Sequence, residues 1–122
     1  MILADTSVWV EHFRRRSADL ADLLERGQIA CHPFVIGELS LGTLGGRANV
    51  LDLLAELPLA RVVGHDEAMA LVDARALSGS GLGWVDVHLA ASALVEHWPL
   101  WTLDRRLATV TRKLNVAWAF RG

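Results

Sequence analysis

Four acidic residues, Asp5, Glu38, Asp86 and Asp104, stand in apolar or turn-like settings where a carboxylate is costly. Asp5 follows Ile2-Leu3-Ala4, Glu38 lies in Val35-Ile36-Gly37-Glu38-Leu39, Asp86 in Trp84-Val85-Asp86-Val87, and Asp104 ends Trp101-Thr102-Leu103-Asp104. Out of water, a carboxylate is unfavourable unless it is paired, hydrogen-bonded or bound to a metal. Each acid alone has an ordinary explanation: a turn residue, a helix cap, a partner for a helix dipole, or a solvated side chain. Helical spacing argues otherwise for two of them. Glu38 shares a face with Phe34, Val35, Leu41 and Gly42, and Asp86 shares one with Ala90 and Ala93, so both are predicted to point inward. Packed together, the four acids repel and some take up protons, unless a hard cation such as Mg²⁺ or Mn²⁺ joins them. A carboxylate-held divalent cation at such an edge points to phosphodiester chemistry.

The elements that must position these acids alternate between short apolar runs and helical patterns. Strands are predicted at residues 2–4, 29–31, 61–63, 100–102 and 116–119. Helices are predicted from Ser7 as cap through Arg14, from Ser17 to a stop at Gly27, and over 34–44, 47–56, 65–77, 84–97 and 104–114. Residues 78–83, Ser-Gly-Ser-Gly-Leu-Gly, read as a flexible connection without the Lys-Ser/Thr ending of a phosphate-binding loop. Strands separated by helices imply parallel pairing, hence an α/β fold: a three-layer α/β/α sandwich with a mainly parallel central sheet, in a single domain over 1–122. Ligands of such sheets sit beyond the carboxyl ends of the strands, where Asp5 and Asp104 belong.

Composition narrows the classes. A 52% hydrophobic and 21% charged chain is globular, and a net charge of −2 gives no overall basic field, so nucleic acid would need a local cationic patch. A lone cysteine, Cys31, excludes an internal disulfide framework and reads as a core residue. The five histidines have no His-Glu-x-x-His spacing, so no zinc constellation forms. With neither a secretory leader pattern nor a bilayer-spanning run, a cytoplasmic protein is expected.

The motifs together resemble the PIN-domain ribonucleases, and more narrowly the VapC-type toxins of bacterial toxin–antitoxin pairs. Asp5-Thr6-Ser7 is similar to the family's opening motif, and Glu38-Leu39-Ser40-Leu41-Gly42 to its Glu-Leu-x-x-Gly helix. Asp86-Val87-His88-Leu89-Ala90 resembles its Asp-x-x-Leu/Ile-Ala helix. Thr102-Leu103-Asp104-Arg105-Arg106-Leu107 resembles its closing Thr-x-Asp-x-x-Phe, with Leu107 in place of the usual aromatic. The resemblance spans essentially the whole chain. It implies a metal-dependent endoribonuclease with Asp5, Glu38, Asp86 and Asp104 in the acidic site, and Thr6, Ser7 and Thr102 as supporting hydroxyls. It also implies a homodimer, and inhibition by a small VapB-like antitoxin protein whose C-terminal segment enters the active-site groove.

Asp5, Asp86 and Asp104 are the expected ligands of Mg²⁺ (or Mn²⁺), with Glu38 completing the shell or taking a proton. In-line attack at phosphorus would leave a 5′-phosphate and a 3′-hydroxyl. Arg105 and Arg106 are candidate RNA contacts, because cations in a helix's first turn oppose its dipole and so suggest a ligand. Trp9 and Trp84 fit core or interface better than base stacking, and Trp98, Trp118 and Phe120 are expected to cover a dimer or antitoxin groove. Two other classes compete: a further carboxylate-metal phosphoryl-transfer enzyme, and a catalytically inactive PIN-like interaction module. A phosphatase of the first kind wants Asp-x-Asp after its first strand, and a receiver wants a lysine after a late strand; neither pattern is present. The inactive module has no reason to keep four clustered acids.

Overall fold

The structure is a computed structural model that describes residues 1–119. Three short parallel strands, β1 (Ile2–Ala4), β2 (Ile29–Ala30) and β3 (Leu100–Trp101), form a sheet in the order β2-β1-β3. Ile2 pairs with Ile29 and Leu3 with Ala30 on one side; Leu3 pairs with Leu100 and Ala4 with Trp101 on the other. The central strand is wholly buried, which is why it reads as an unbroken apolar run rather than an alternating one.

Seven helices flank the sheet among the described residues. They are α1 (Thr6–Arg14), α2 (Ala18–Glu25), α3 (Pro33–Ser40), α4 (Arg47–Glu56), α5 (His65–Ala74), α6 (Trp84–Glu96) and α7 (Arg105–Lys113). The architecture is the expected α/β/α sandwich. Helix α6 is its central helix: Val87 to Ala93 are all buried. Its small residues let both sides pack closely: Ala93 meets the cluster that holds the strands, and Ala90 meets Leu77, Val110 and Leu114. Leu3, Leu20, Ile29, Leu89, Leu100 and Leu107 are the largest buried aliphatic side chains. Cys31 is buried, and burial pushes its thiol up to about 11, as suits a core residue.

Two expected strands shrink to single bridges. Leu59, rather than residues 61–63, pairs with Cys31, and one residue of the last segment, Ala117, pairs with Leu100. The ladder cannot continue past Ala60, because the next donor on the Cys31 side would be Pro33, which has no N–H and already opens α3. At the other edge, the Val116 N–H turns back to Thr111 O and closes the end of α7. Helix α3 stops at Ser40 instead of running to residue 44, since the Leu41 and Gly42 N–H groups bond to Glu38 O and Leu39 O in a tightened last turn. The cap of α1 is Asp5 and not Ser7. Trp98 and Trp118 are half-buried and pack against the main core, and Phe120 lies outside the described residues. No helix among the described residues is long and apolar enough to cross a membrane.

Candidate active site

The carboxyl ends of β1 and β3 lie side by side, and the chain immediately beyond them builds the site. Asp5 leaves β1, still donates its N–H to Trp101 O at 3.0 Å, and turns to cap α1. It is 4% exposed. Its Oδ1 accepts from the Ser7 N–H at 2.9 Å and the Ser7 hydroxyl at 2.5 Å; its Oδ2 accepts from the Thr102 hydroxyl at 2.6 Å. Ser7 Oγ also accepts the Leu103 N–H at 2.9 Å, and Thr102 Oγ1 accepts the Asp104 N–H at 3.0 Å. Each hydroxyl has one proton, and each gives it to Asp5. The two hydroxyls therefore face each other at 3.4 Å with no proton left to share. Burial raises the Asp5 carboxyl above its usual 3.8, against the pull of the Ser7 and Thr102 hydroxyls and the α1 N–H groups.

The other acids arrive by separate routes. Asp104 caps α7 through Leu107 N at 3.0 Å and is exposed. Asp86 sits in the first turn of α6, half-buried, and its Oδ2 accepts the Gly83 N–H at 3.1 Å. Its carboxyl is also raised, first by burial and then by the charges of Asp104, Asp5 and Glu38, with the Gly83 N–H opposing. Three of the four acids thus stand at helix N-termini, where the dipole favours negative charge. The ordinary readings hold for Asp104 as a cap and for Asp86 as a dipole partner, while Asp5, expected as a turn residue, is itself a helix cap.

Glu38 differs from expectation. It does not point inward: it is exposed, and Leu41, on its predicted face, is 89% exposed. The buried stripe of α3 is Val35 and Leu39, which leaves Glu38 on the flank. There the Thr6 hydroxyl donates to its Oε1 at 2.6 Å, so Glu38 is tied to the residue after Asp5. Asp86 meets expectation in part, since Ala90 and Ala93 below it are buried.

Each of the four acids thus feels or touches the same small region, but among the described residues no three acids or histidines form a ready-made metal-ligand group. The ion pairs among the described residues join Arg15 to Glu11, Arg26 to Asp22 and Arg61 to Glu96. None of these neutralises the site. Arg105 and Arg106 are exposed in the first turn of α7, and Arg106 lies over Gly81. Trp9 is buried, and Trp84 is 41% exposed with its ring edge-on to His88.

A residue that sequence reasoning missed is His32. Its Nδ1 accepts the Phe34 N–H at 2.9 Å and caps α3, the helix that carries Glu38. Its Nε2 lies 3.0 Å from Ser92 Oγ, which donates to Arg61 O. Because Nδ1 accepts, Nε2 carries the proton and donates to Ser92. Burial holds the ring neutral, with its pKa lowered to about 4. The signal available in sequence was Pro33 at the first helical position, which marks the preceding residue as a cap.

Residues 2–113 match the PIN domain family. The chain is similar to Ribonuclease VapC32 in two strains of Mycobacterium tuberculosis, 51% identical over 120 residues, covering 98% of this chain and 97% of those proteins. Its fold is similar to the crystal structure of PAE2754 from Pyrobaculum aerophilum, with a TM-score of 0.60 and 18% identity, over 88% of this chain and 77% of that one.

Proposed function

The chain belongs to the VapC branch of the PIN-domain family, and on that premise we propose that it is a divalent-cation-dependent endoribonuclease restrained by a small antitoxin protein. The observation that carries this reading is the meeting of four carboxylates that no cationic side chain among the described residues neutralises, with Asp86 sensing the other three. All-oxygen donors fit a hard cation, Mg²⁺ or Mn²⁺. Asp5, Asp86 and Asp104 would hold it, and Glu38 would complete the shell directly or through water. When bound, the cation supplies acidity to the attacking water and offsets charge on the phosphoryl oxygens.

The chain's own groups do the rest. Ser7 and Thr102 hold both oxygens of Asp5, so its carboxylate has one orientation. Thr6 fixes Glu38 through Oε1, leaving Oε2 to accept a proton from the attacking water. Hydrolysis breaks the bond between phosphorus and the 3′-oxygen, giving a 5′-phosphate and a 3′-hydroxyl. An RNA substrate implies a cytoplasmic site of action.

Support for the antitoxin comes from an apolar groove that starts at the acids. A cavity of about 420 Å³ is bordered by Thr6 and Glu38 at one end and by Val10, Phe13 and Val50 beyond. A second, of about 460 Å³, shares Phe13 and Val50 and extends along Leu53 and Leu57. Val10 is 42% and Leu53 64% exposed, so this surface is unfilled in the isolated chain. An antitoxin segment with apolar residues along the groove and a cationic end at the carboxylates matches it. Homodimerisation would use another face, where Met69 and Trp84 are both exposed.

The test is RNA cleavage by antitoxin-free protein in Mg²⁺ or Mn²⁺. Cleavage that leaves 5′-phosphate ends, stops with chelator and stops on adding the antitoxin supports the reading. Absence of cleavage across total bacterial RNA together with absence of metal binding leaves an inactive interaction module as the better account.

A further inference from the structure

The glycine loop 78–83 and the first turn of α7 meet at one point. Gly81 has φ +82°, the left-handed region that side chains rarely adopt. A Cβ built on Gly81 would stand 2.9 Å from Arg106 Cδ, 3.1 Å from Nε and 3.4 Å from Cζ. The Arg106 side chain therefore lies directly across the open face of Gly81, in space that exists because the residue is glycine. Two residues on, the Gly83 N–H binds Asp86 Oδ2, and two residues before Arg106, Asp104 caps α7. Arg106 thus joins the loop that leads into Asp86 to the first turn of the helix that Asp104 caps.

Its charge is unspent. Arg106 is exposed and makes no ion pair or hydrogen bond among the described residues. It also occupies the first turn of a helix, where the dipole disfavours a cation. A guanidinium packed against backbone and paired with no acid is suited to an incoming anion. Beside a phosphodiester-cleaving centre, that anion is a backbone phosphate of the RNA. We propose that Arg106, seated on Gly81, is a phosphate-binding residue for the RNA strand and that Gly81 is its positioning residue. This rests on the ribonuclease reading above. Arg105 has no such seat and is not assigned.

The experiment measures binding of a single-stranded RNA oligonucleotide by fluorescence anisotropy over a range of salt, with Ca²⁺ in place of Mg²⁺ so that the acids are neutralised while hydrolysis is slowed. Arg106→Gln should weaken binding about tenfold, as loss of a charge-assisted hydrogen bond implies. It should also reduce the slope of log affinity against log salt by about 0.7, one single-strand phosphate. Arg106→Lys should restore the slope but only part of the affinity. Gly81→Ala, which pushes the flexible Arg106 chain aside, should act in the same direction, and the double variant Gly81→Ala/Arg106→Gln should be no weaker than Arg106→Gln alone. Arg112→Gln, at the far end of α7, should leave the slope unchanged. An Arg106→Gln protein with wild-type affinity and slope overturns the inference and leaves the nuclease reading standing. A wild-type protein that binds no RNA overturns both.

Discussion

Removing one hydroxyl should expose how the site is held. Ser7 Oγ donates to the buried Asp5 carboxylate at 2.5 Å and accepts the Leu103 N–H at 2.9 Å, so it ties the end of β1 to the chain beyond β3. Ser7→Ala removes both bonds and adds no bulk. The bond to the charged, 4% exposed Asp5 is of the kind that contributes about 1.5–3 kcal/mol. The Leu103 N–H is exposed and regains water, so its loss adds only about 0.5 kcal/mol. The expected deficit is about 2–3 kcal/mol at pH 7.5, or roughly 8–12 °C in Tm for a domain of this size. The sign with pH follows from Asp5, whose folded-state pKa is raised above 3.8 by burial. A group so raised contributes stability that is fully present below the unfolded value and lost as pH rises through the folded one. Ser7 is the strongest influence opposing that rise, so Ser7→Ala lifts the folded value further. The deficit should therefore shrink as pH falls from 7.5 toward 4, because a protonated Asp5 no longer needs the lost donor. Urea melts of both proteins in chelator at stepped pH measure it. A deficit that is flat with pH, or below about 0.5 kcal/mol at pH 7.5, would refute the claim that Ser7 supports a charged Asp5.

Other outcomes follow from the same geometry. His32 has its folded pKa lowered from 6.5 to about 4, so its contribution is present above pH 6.5 and is lost as pH falls through about 4. That amounts to about 3 kcal/mol of acid sensitivity, and His32→Asn, which keeps a capping oxygen, should flatten the stability slope across that window in pH-stepped melts. Leu53→Glu, in the exposed groove wall, should weaken antitoxin inhibition by tenfold or more, as expected for a charge set in an apolar pocket, while leaving RNA cleavage unchanged in a two-component assay.

How much of this was legible beforehand follows from the range of the forces involved. Strand β1, the Ser17 cap, Pro33 at the start of α3, and the span of α4 are written in local residues, and the structure has them where the sequence puts them. The failures are non-local. Residues 61–63 have strand-forming side chains, yet the segment that would pair with them, some thirty positions earlier, turns into α3 at Pro33. Glu38 looked inward because its face contained Leu41 and Gly42, but α3 ends at Ser40 and that face opens to solvent. The four acids were visible as types. Their support was not, because the Ser7, Thr102 and Leu103 bonds join segments about a hundred residues apart. Arg106 was suggestive from its place near Asp104, but only the packing over Gly81 separates it from Arg105.

The central claim is that four carboxylates from four segments make one divalent-cation site. Calorimetric titration of Mn²⁺ into wild-type protein and into Asp86→Asn tests it most directly. Asp86 is the acid that senses the other three, so the account predicts saturable binding in the wild type and affinity at least tenfold weaker in the variant. Equal binding by the two proteins, or none by the wild type, would contradict it.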